Sequence, residues 1–297
     1  MSVNLSIIIL TYNTKEITKR CLSSLYRNLP KNKNFLSEII IVDNGSTDGT
    51  IEALKNHQKS KNIFFRFIPN KTNLGYPKGN NQALKIASGK YILFLNSDTI
   101  IEKLDFSRLL NYLESNQKIG ALTVKVLLPR GNIDPASHRG FPTLWSSFCY
   151  FIGLENLFGK VTYFNRIFGN YHLRHLNLAS IHEIDSPSGA FYLTRKDLLA
   201  KIGGFDETFF MYGEDLDLSF RIKKSGYKII YYPDYHVVHL KHASGLEKKD
   251  KQINKKTRRH FFEAMEIFYK KHNEKTHIPI INSIIYLTIK LVKKIYV

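Results

Sequence analysis

The chain has 297 residues, 43% hydrophobic and 23% charged, a globular composition sufficient for one large domain or two small ones. Forty-four Lys and Arg against 25 Asp and Glu give a formal charge of +19, which favours nucleotides, nucleic acid or an acidic membrane surface without choosing among them. Cys21 and Cys149 lie far apart with no CxxC or Cys/His spacing, which argues against a disulfide framework and a zinc site.

The N-terminus runs straight into Leu5-Ser6-Ile7-Ile8-Ile9-Leu10 with no basic flank or small-residue cleavage site, and reads as the first strand of a cytosolic protein. Next comes an amphipathic stretch, KEITKRCLSSLYRNL, then the strand EIIIVDNG, the helical STDGTIEALKNHQK and the strand NIFFRFIPN. A helix around NNQALKIAS and the strand KYILFLNSD complete the series. Strict alternation of apolar, β-branched runs with amphipathic ones indicates βαβ units and an α/β fold with a mainly parallel sheet covered on both faces.

Polar groups collect where these strands stop, at Thr11-Tyr12-Asn13, Asp43-Asn44-Gly45-Ser46, Asn73-Leu74-Gly75 and Asn96-Ser97-Asp98. Any one of them is explained by a turn. Several together at the carboxyl edge of a sheet indicate a ligand crevice. Residues 128–183 carry scattered aromatics without periodicity and are read as an insertion of loops and short helices. Beyond it, SGAFYLT is a strand, Lys196 to Ile202 a helix, and Glu214 to Lys224 a helix ended by Ser225-Gly226. Residues 246–297 hold clusters of Lys and Arg and an apolar run from Ile278 to Ile289, too short and interrupted to span a bilayer, which needs about 20 apolar residues. A helix docked on the domain and a helix lying in the membrane interface both fit this segment.

The segments SIIILTYN, IIIVDNGSTDGT, NLGYPKGNNQAL, YILFLNSDT, SGAFYLTR, GGFDETFFMYGEDLDLSFR and VVHLKHAS, in this order, resemble the family 2 glycosyltransferases of the GT-A fold over residues 5–245. Among them the chain is most similar to the bacterial rhamnosyltransferase-like branch of cell-surface polysaccharide synthesis. The resemblance implies a transferase domain at 1–245, with a nucleotide-binding half at 1–105 and an acceptor and catalytic half at 106–245. A basic, apolar, helical tail at 246–297 would follow.

Carried over residue by residue, the resemblance makes Asp215 the base that takes the acceptor's proton and Glu214 its neighbour, with an apolar run in front able to raise a carboxyl pKa. Asp43 would bond the donor's base, with Thr11, Tyr12 and Asn13 lining the same pocket. Asn73, Gly75, Lys78 and Asn81 would border the donor, Gly189 and Ala190 would leave room for its sugar, and Asn96, in place of the first Asp of the family's Asp-X-Asp motif, would also meet the donor. Asp98 and His239 would hold a divalent ion, Mn²⁺ or Mg²⁺, with His236 and His242 close enough to compete for the assignment. Asp217 is expected to bond backbone or Arg221, and Arg139 either reaches a phosphate or is a solvated surface residue.

The implied reaction is inverting transfer of a sugar from a nucleoside-diphosphate donor, best dTDP-L-rhamnose, to a lipid-linked saccharide acceptor. UDP-galactose, UDP-glucose and a UDP-N-acetylhexosamine stay open as donors. The implied place is cytoplasmic, peripheral on the inner face of the cell membrane, against an anionic membrane surface. A basic nucleic-acid binder is the rival from another class, but no helix-turn-helix, zinc or RNA-binding signature is present, so no nucleic-acid partner beyond the nucleotide is expected. A nucleotidyltransferase would carry a glycine-rich phosphate loop after the first strand, and Thr11-Tyr12-Asn13-Thr14-Lys15 is not one.

Overall fold

The structure is a computed structural model that describes residues 2–55, 62–159, 161–241 and 251–297, without the side chains of 251–254 and 296. In chain order the elements are β1 (Leu5–Thr11), α1 (Lys15–Asn28), β2 (Ser37–Asp43), α2 (Thr50–Lys55), β3 (Ile63–Pro69), α3 (Tyr76–Ile86), β4 (Tyr91–Leu95), β5 (Thr99–Lys103), α4 (Phe106–Ser115) and β6 (Ile119–Leu127). The second half adds α5 (Leu144–Phe151), α6 (Leu154–Phe158), α7 (Asn165–Phe168), β7 (His182–Ile184), β8 (Phe191–Arg195), α8 (Lys196–Ile202), α9 (Glu214–Lys224), β9 (Lys228–His239), α10 (Lys251–His272) and α11 (Pro279–Tyr296).

One sheet runs β3-β2-β1-β4-β8-β6-β9-β5, with β7 also paired to β9. The expected parallel arrangement holds across β3, β2, β1 and β4. Beyond β4 the sheet is mixed: β8 is antiparallel to β4 and to β6, β9 is parallel to β6, and β5 is antiparallel to β9. The cause lies in the link after β4. Only Asn96-Ser97-Asp98 separates β4 from β5, and a parallel crossover needs a dozen residues or more. The chain therefore turns away and pairs β5 with β9, and the register Thr99↔His239 sets Asp98 beside His239.

Strands β1, β2 and β4 are buried along nearly their whole length, whereas edge strand β3 alternates between half-buried and exposed side chains. The alternating side chains of the central strands feed two cores. Ile7, Ile9, Ile39, Ile41 and Leu93 pack on Leu22 and Leu25 of α1 and on Leu109 and Leu113 of α4. Ile8, Ile40 and Phe94 pack with Ala83 of α3, Leu198 of α8 and Leu218 of α9. Fully burying a side chain of this size contributes roughly 1.5–3 kcal/mol, so register is strongly fixed where both faces are covered.

A third cluster joins Phe209 and Leu216 to Ala264 and Phe268 of α10. Asp217, fully buried, meets Arg221 at 2.8 Å as expected, and also Lys271 and His272 of α10, each at 2.7 Å. Helix α10, beyond the boundary expected at residue 245, thus packs on the helix that bears Glu214 and Asp215. Among the described residues no helix is long and apolar enough to cross a membrane. His242 and the lysines 248–249 lie outside the described residues.

Candidate active site

The crevice expected from the sequence would lie at the carboxyl ends of β1, β2 and β4. Thr11 and Asp43 are register partners there. Asp43 Oδ1 accepts the backbone N–H of Gly45 (3.0 Å) and of Ser46 (2.8 Å), while its buried Oδ2 has no hydrogen-bond partner. One oxygen of this carboxylate thus closes the turn while the other is unpaired. Asn13, in a left-handed conformation at φ 52°, clips the two strand ends together: its N–H donates to Ser46 Oγ and its Oδ1 accepts from Thr47 N. Tyr12 is 45% exposed and offers an open ring face. The Thr11 Oγ1 is held 2.7 Å from Thr14 and 2.9 Å from Thr18 of α1, so its hydroxyl is engaged with the start of that helix.

Gly75 (φ 87°) packs on the loop before α9; a Cβ there would fall 2.5 Å from the Phe210 carbonyl oxygen, which accepts from Tyr76 N. The Asn73 Oδ1 accepts the Gly75 N–H and binds Asn44 as well. Lys78 is exposed near the start of α3. The Asn81 amide donates to the Phe205 carbonyl and to Glu207 and accepts from Phe205 N, which ties α3 to the loop before α9.

Asp98 Oδ1 stands 3.2 Å from His239 Nε2, and Asn96 Nδ2 lies 3.4 Å from the same nitrogen. The other Asp98 oxygen is buried with no hydrogen-bond partner. His239 Nδ1 donates to Asp134 Oδ2 at 2.8 Å, and Asp134 Oδ1 takes Lys241 Nζ at 2.9 Å. Burial alone would lower the His239 pKa, but the bonds to Asp134 and Asp98 outweigh it and raise it to about 9. Asp134 is held far below the usual carboxylate range by His239 and Lys241 against the cost of burial. A carboxylate behind the ring of a ligating His is the arrangement that fixes its tautomer and points the other nitrogen at a metal. An orphaned Asp98 oxygen, an aimed Nε2 and a carboxylate behind the ring fit a divalent cation. Two protein ligands leave the remaining positions to phosphate oxygens and water. His236 is excluded as a competitor, since its Nε2 is paired with Glu102 at 2.8 Å.

Across the crevice, α9 starts after Tyr212 and Gly213, both left-handed at φ 67° and 76°. Asp215 Oδ2 receives Arg139 Nη2 at 2.8 Å, and both side chains are buried. Arg139 is thus neither solvated nor free for a phosphate: it orients the expected base and balances its charge. Glu214 is buried with one carboxyl oxygen unpartnered, and burial followed by the neighbouring Asp215 charge pushes its pKa up to about 8. Tyr76 links the two sides. Its hydroxyl is pushed well above its usual pKa by burial and then by the charges of Glu214, Asp215 and Asp98. A Cβ on Gly189 would lie 2.2 Å from that hydroxyl and 3.4 Å from Asn96 Oδ1, so only glycine fits between them. Ala190 is fully buried, and its carbonyl accepts Thr99 Oγ1.

Sequence reasoning missed Asp134, Tyr76 and the role of Arg139. Asp134 lies in the segment read as an insertion, where an Asp-Pro pair signals only a turn.

Residues 6–177, more than half of the chain, match the family described as glycosyl transferase family 2, and residues 183–243 match the N-terminal domain of galactosyltransferase. The chain is 28% identical over 253 residues to the N-acetylglucosaminyl-diphospho-decaprenol L-rhamnosyltransferase of Mycobacterium tuberculosis, a match covering 81% of this chain and 78% of that one. It is 27% identical over 178 residues to the rhamnosyltransferase WbbL of Escherichia coli, covering 57% and 61%. In fold it is similar to S. aureus TarS 1-349 (TM-score 0.57, 20% identity, 89% of this chain). A similar likeness holds to the mannosyltransferase PcManGT from Pyrobaculum calidifontis in complex with GDP-Man and Mn²⁺ (0.57, 19%, 91%). The chain spans 64% of each of those two structures. The fold is that of the GT-A transferases, and the chain belongs to glycosyl transferase family 2.

Proposed function

We propose that the chain is an inverting, metal-dependent transferase that moves one sugar from a nucleoside diphosphate to a hydroxyl of a lipid-linked saccharide, with dTDP-L-rhamnose the first donor to test. The observation that carries this reading is the facing of two built half-sites across Tyr76. Asp98 with His239, braced by Asp134, forms one; Asp215, gripped by Arg139, forms the other. Asp98 and His239 would hold a divalent ion, which when bound neutralises charge on the departing diphosphate. Asp43 Oδ2 accepts a donor-base N–H, and Tyr12 covers the base face. Asp215 takes the acceptor proton as the hydroxyl oxygen attacks the anomeric carbon from the side opposite the diphosphate. Glu214, neutral at pH 7, adds no second negative charge beside it.

The rhamnosyltransferase relatives support the donor and the lipid-linked acceptor. The segment similar to a galactosyltransferase domain supports UDP-galactose as the second donor. A membrane acceptor also suits α11, where Ile280, Ile284, Leu287, Leu291 and Ile295 form an exposed stripe beside Lys290 and Lys294, on a helix without a carboxylate. This supports a peripheral position on the inner membrane face. The test is a screen of nucleotide sugars for release of the nucleoside diphosphate with and without Mn²⁺ or Mg²⁺. Metal-dependent release from one donor is expected, and no release from any donor contradicts the reading.

A further inference from the structure

The three short helices α5, α6 and α7 pack on one another without building a core. Their large apolar side chains stay outside: Trp145 is 49% exposed, Leu157 68% and Tyr163 82%, with Phe148, Ile152 and Ile167 similarly open. Exposure of this density over about 25 residues is unlike the scattered single apolar residues of an ordinary surface. The module is nonetheless well formed. Thr143 and Ser146 make a reciprocal cap at the start of α5, and Trp145 Nε1 donates to the Ile167 carbonyl across to α7. These surfaces are held outward by a defined fold.

Charge points to what covers them. From Pro135 to His182 the sequence has a single carboxylate, Glu155, and it is buried against His172 and Arg174 at 2.9 and 3.1 Å. Arg166 is exposed among the apolar residues. An apolar face rich in Trp, Tyr and Phe, free of exposed negative charge and carrying a cation, matches the boundary between lipid headgroups and acyl chains. The chain's formal charge of +19 would add attraction to anionic lipids.

We propose that the exposed face of α5, α6 and α7 inserts into the hydrocarbon edge of an anionic bilayer and sets the height of the catalytic base above it. The link is short. Arg139, which grips Asp215, stands four residues before the cap Thr143, and between them Phe141 packs edge-on against Phe220 of α9 at 5.1 Å. These two contacts tie the segment leading into the module to the helix that bears Asp215. The proposal rests on the lipid-linked acceptor reading, whose headgroup would lie at that height.

Trp145 is the chain's one tryptophan, so its emission reports on this face alone. With the full chain and vesicles of phosphatidylcholine and phosphatidylglycerol, its emission shifts to shorter wavelength and is quenched by lipids brominated along the acyl chain. The paired substitution Leu157→Asp and Tyr163→Asp, at two exposed positions, lowers vesicle partitioning by about tenfold or more, the scale of losing burial of large apolar side chains. It leaves metal-dependent donor hydrolysis in lipid-free buffer unchanged. Vesicle binding with unmoved Trp145 emission overturns the proposal, because α11 would then bind alone. A blue shift that grows with protein concentration without lipid, with doubled mass, overturns it in favour of a second copy on this face. Donor hydrolysis without lipid reads the transferase function separately, so failure of either claim is distinguishable from failure of the other.

Discussion

Replacing Glu214 by Gln should change how folding stability responds to pH. The carboxyl is buried beside Asp215, one oxygen has no partner, and its pKa is pushed from 4.5 to about 8. Between those values the unfolded chain has released the proton and the folded chain keeps it. Stability therefore falls as pH rises across that interval, and the whole cost is present above about 8. A displacement of this size corresponds to on the order of 4 kcal/mol, a large share of a typical domain's stability. Gln keeps the shape and carries no charge, so it removes the cost. In urea unfolding followed by circular dichroism at pH 5 and pH 9, wild type should lose several kcal/mol more than Glu214→Gln between the two conditions. Parallel loss in both proteins would refute a protonated Glu214 and with it the single-charge picture of the base.

Asp98→Ala and His239→Ala should each weaken donor binding only when Mn²⁺ is present, measured by calorimetry with and without the ion; equal weakening in both conditions would assign them a structural role. Asp134→Asn should lower metal affinity by about 10- to 100-fold by loosening the His239 ring, with donor affinity in the absence of metal unchanged. Gly189→Ala, whose Cβ would strike the Tyr76 hydroxyl and ring, should raise the KM for donor and lower thermal stability, read by thermal unfolding beside the kinetics. Truncation after Gly245 should give unstable protein, since it bares Phe209 and Leu216 and strips the Lys271 cation and the His272 ring from buried Asp217, and breaking a buried ion pair costs about 3–5 kcal/mol. Truncation after His277, which removes only α11, should leave donor hydrolysis intact and reduce binding to anionic vesicles.

The N-terminal third was legible because its signals are local. Each strand is an apolar run, each helix is amphipathic, and the polar residues at the strand ends mark the crevice directly. The second half was less legible because its pairings are not local. Strand β5 follows β4 in sequence but pairs with β9, some 130 residues later, and nothing in Thr99–Lys103 announces that partner. The same distance hid Asp134, whose importance depends on His239 arriving 105 residues on. Arg139 was ambiguous because a lone Arg in a loop looks alike whether it meets solvent, phosphate or a buried carboxylate. Residues 246–297 admitted docking and membrane contact equally. The fold divides them: α10 offers Ala264 and Phe268 to α9 and is packed, while α11 rests on α10 through Tyr269–Asn282, and on the turn after it through Tyr286–Glu274, and leaves an apolar stripe in solvent.

The central claim is that Asp215 is the proton acceptor of a sugar transfer, and Asp215→Asn tests it most directly once a donor is known. The substitution keeps the shape beside Arg139 and removes the basic oxygen. Single-turnover transfer should fall by about 10² to 10⁴ while donor affinity in the presence of Mn²⁺ stays within a factor of about two. Near wild-type transfer by Asp215→Asn, with donor bound normally, would contradict the account.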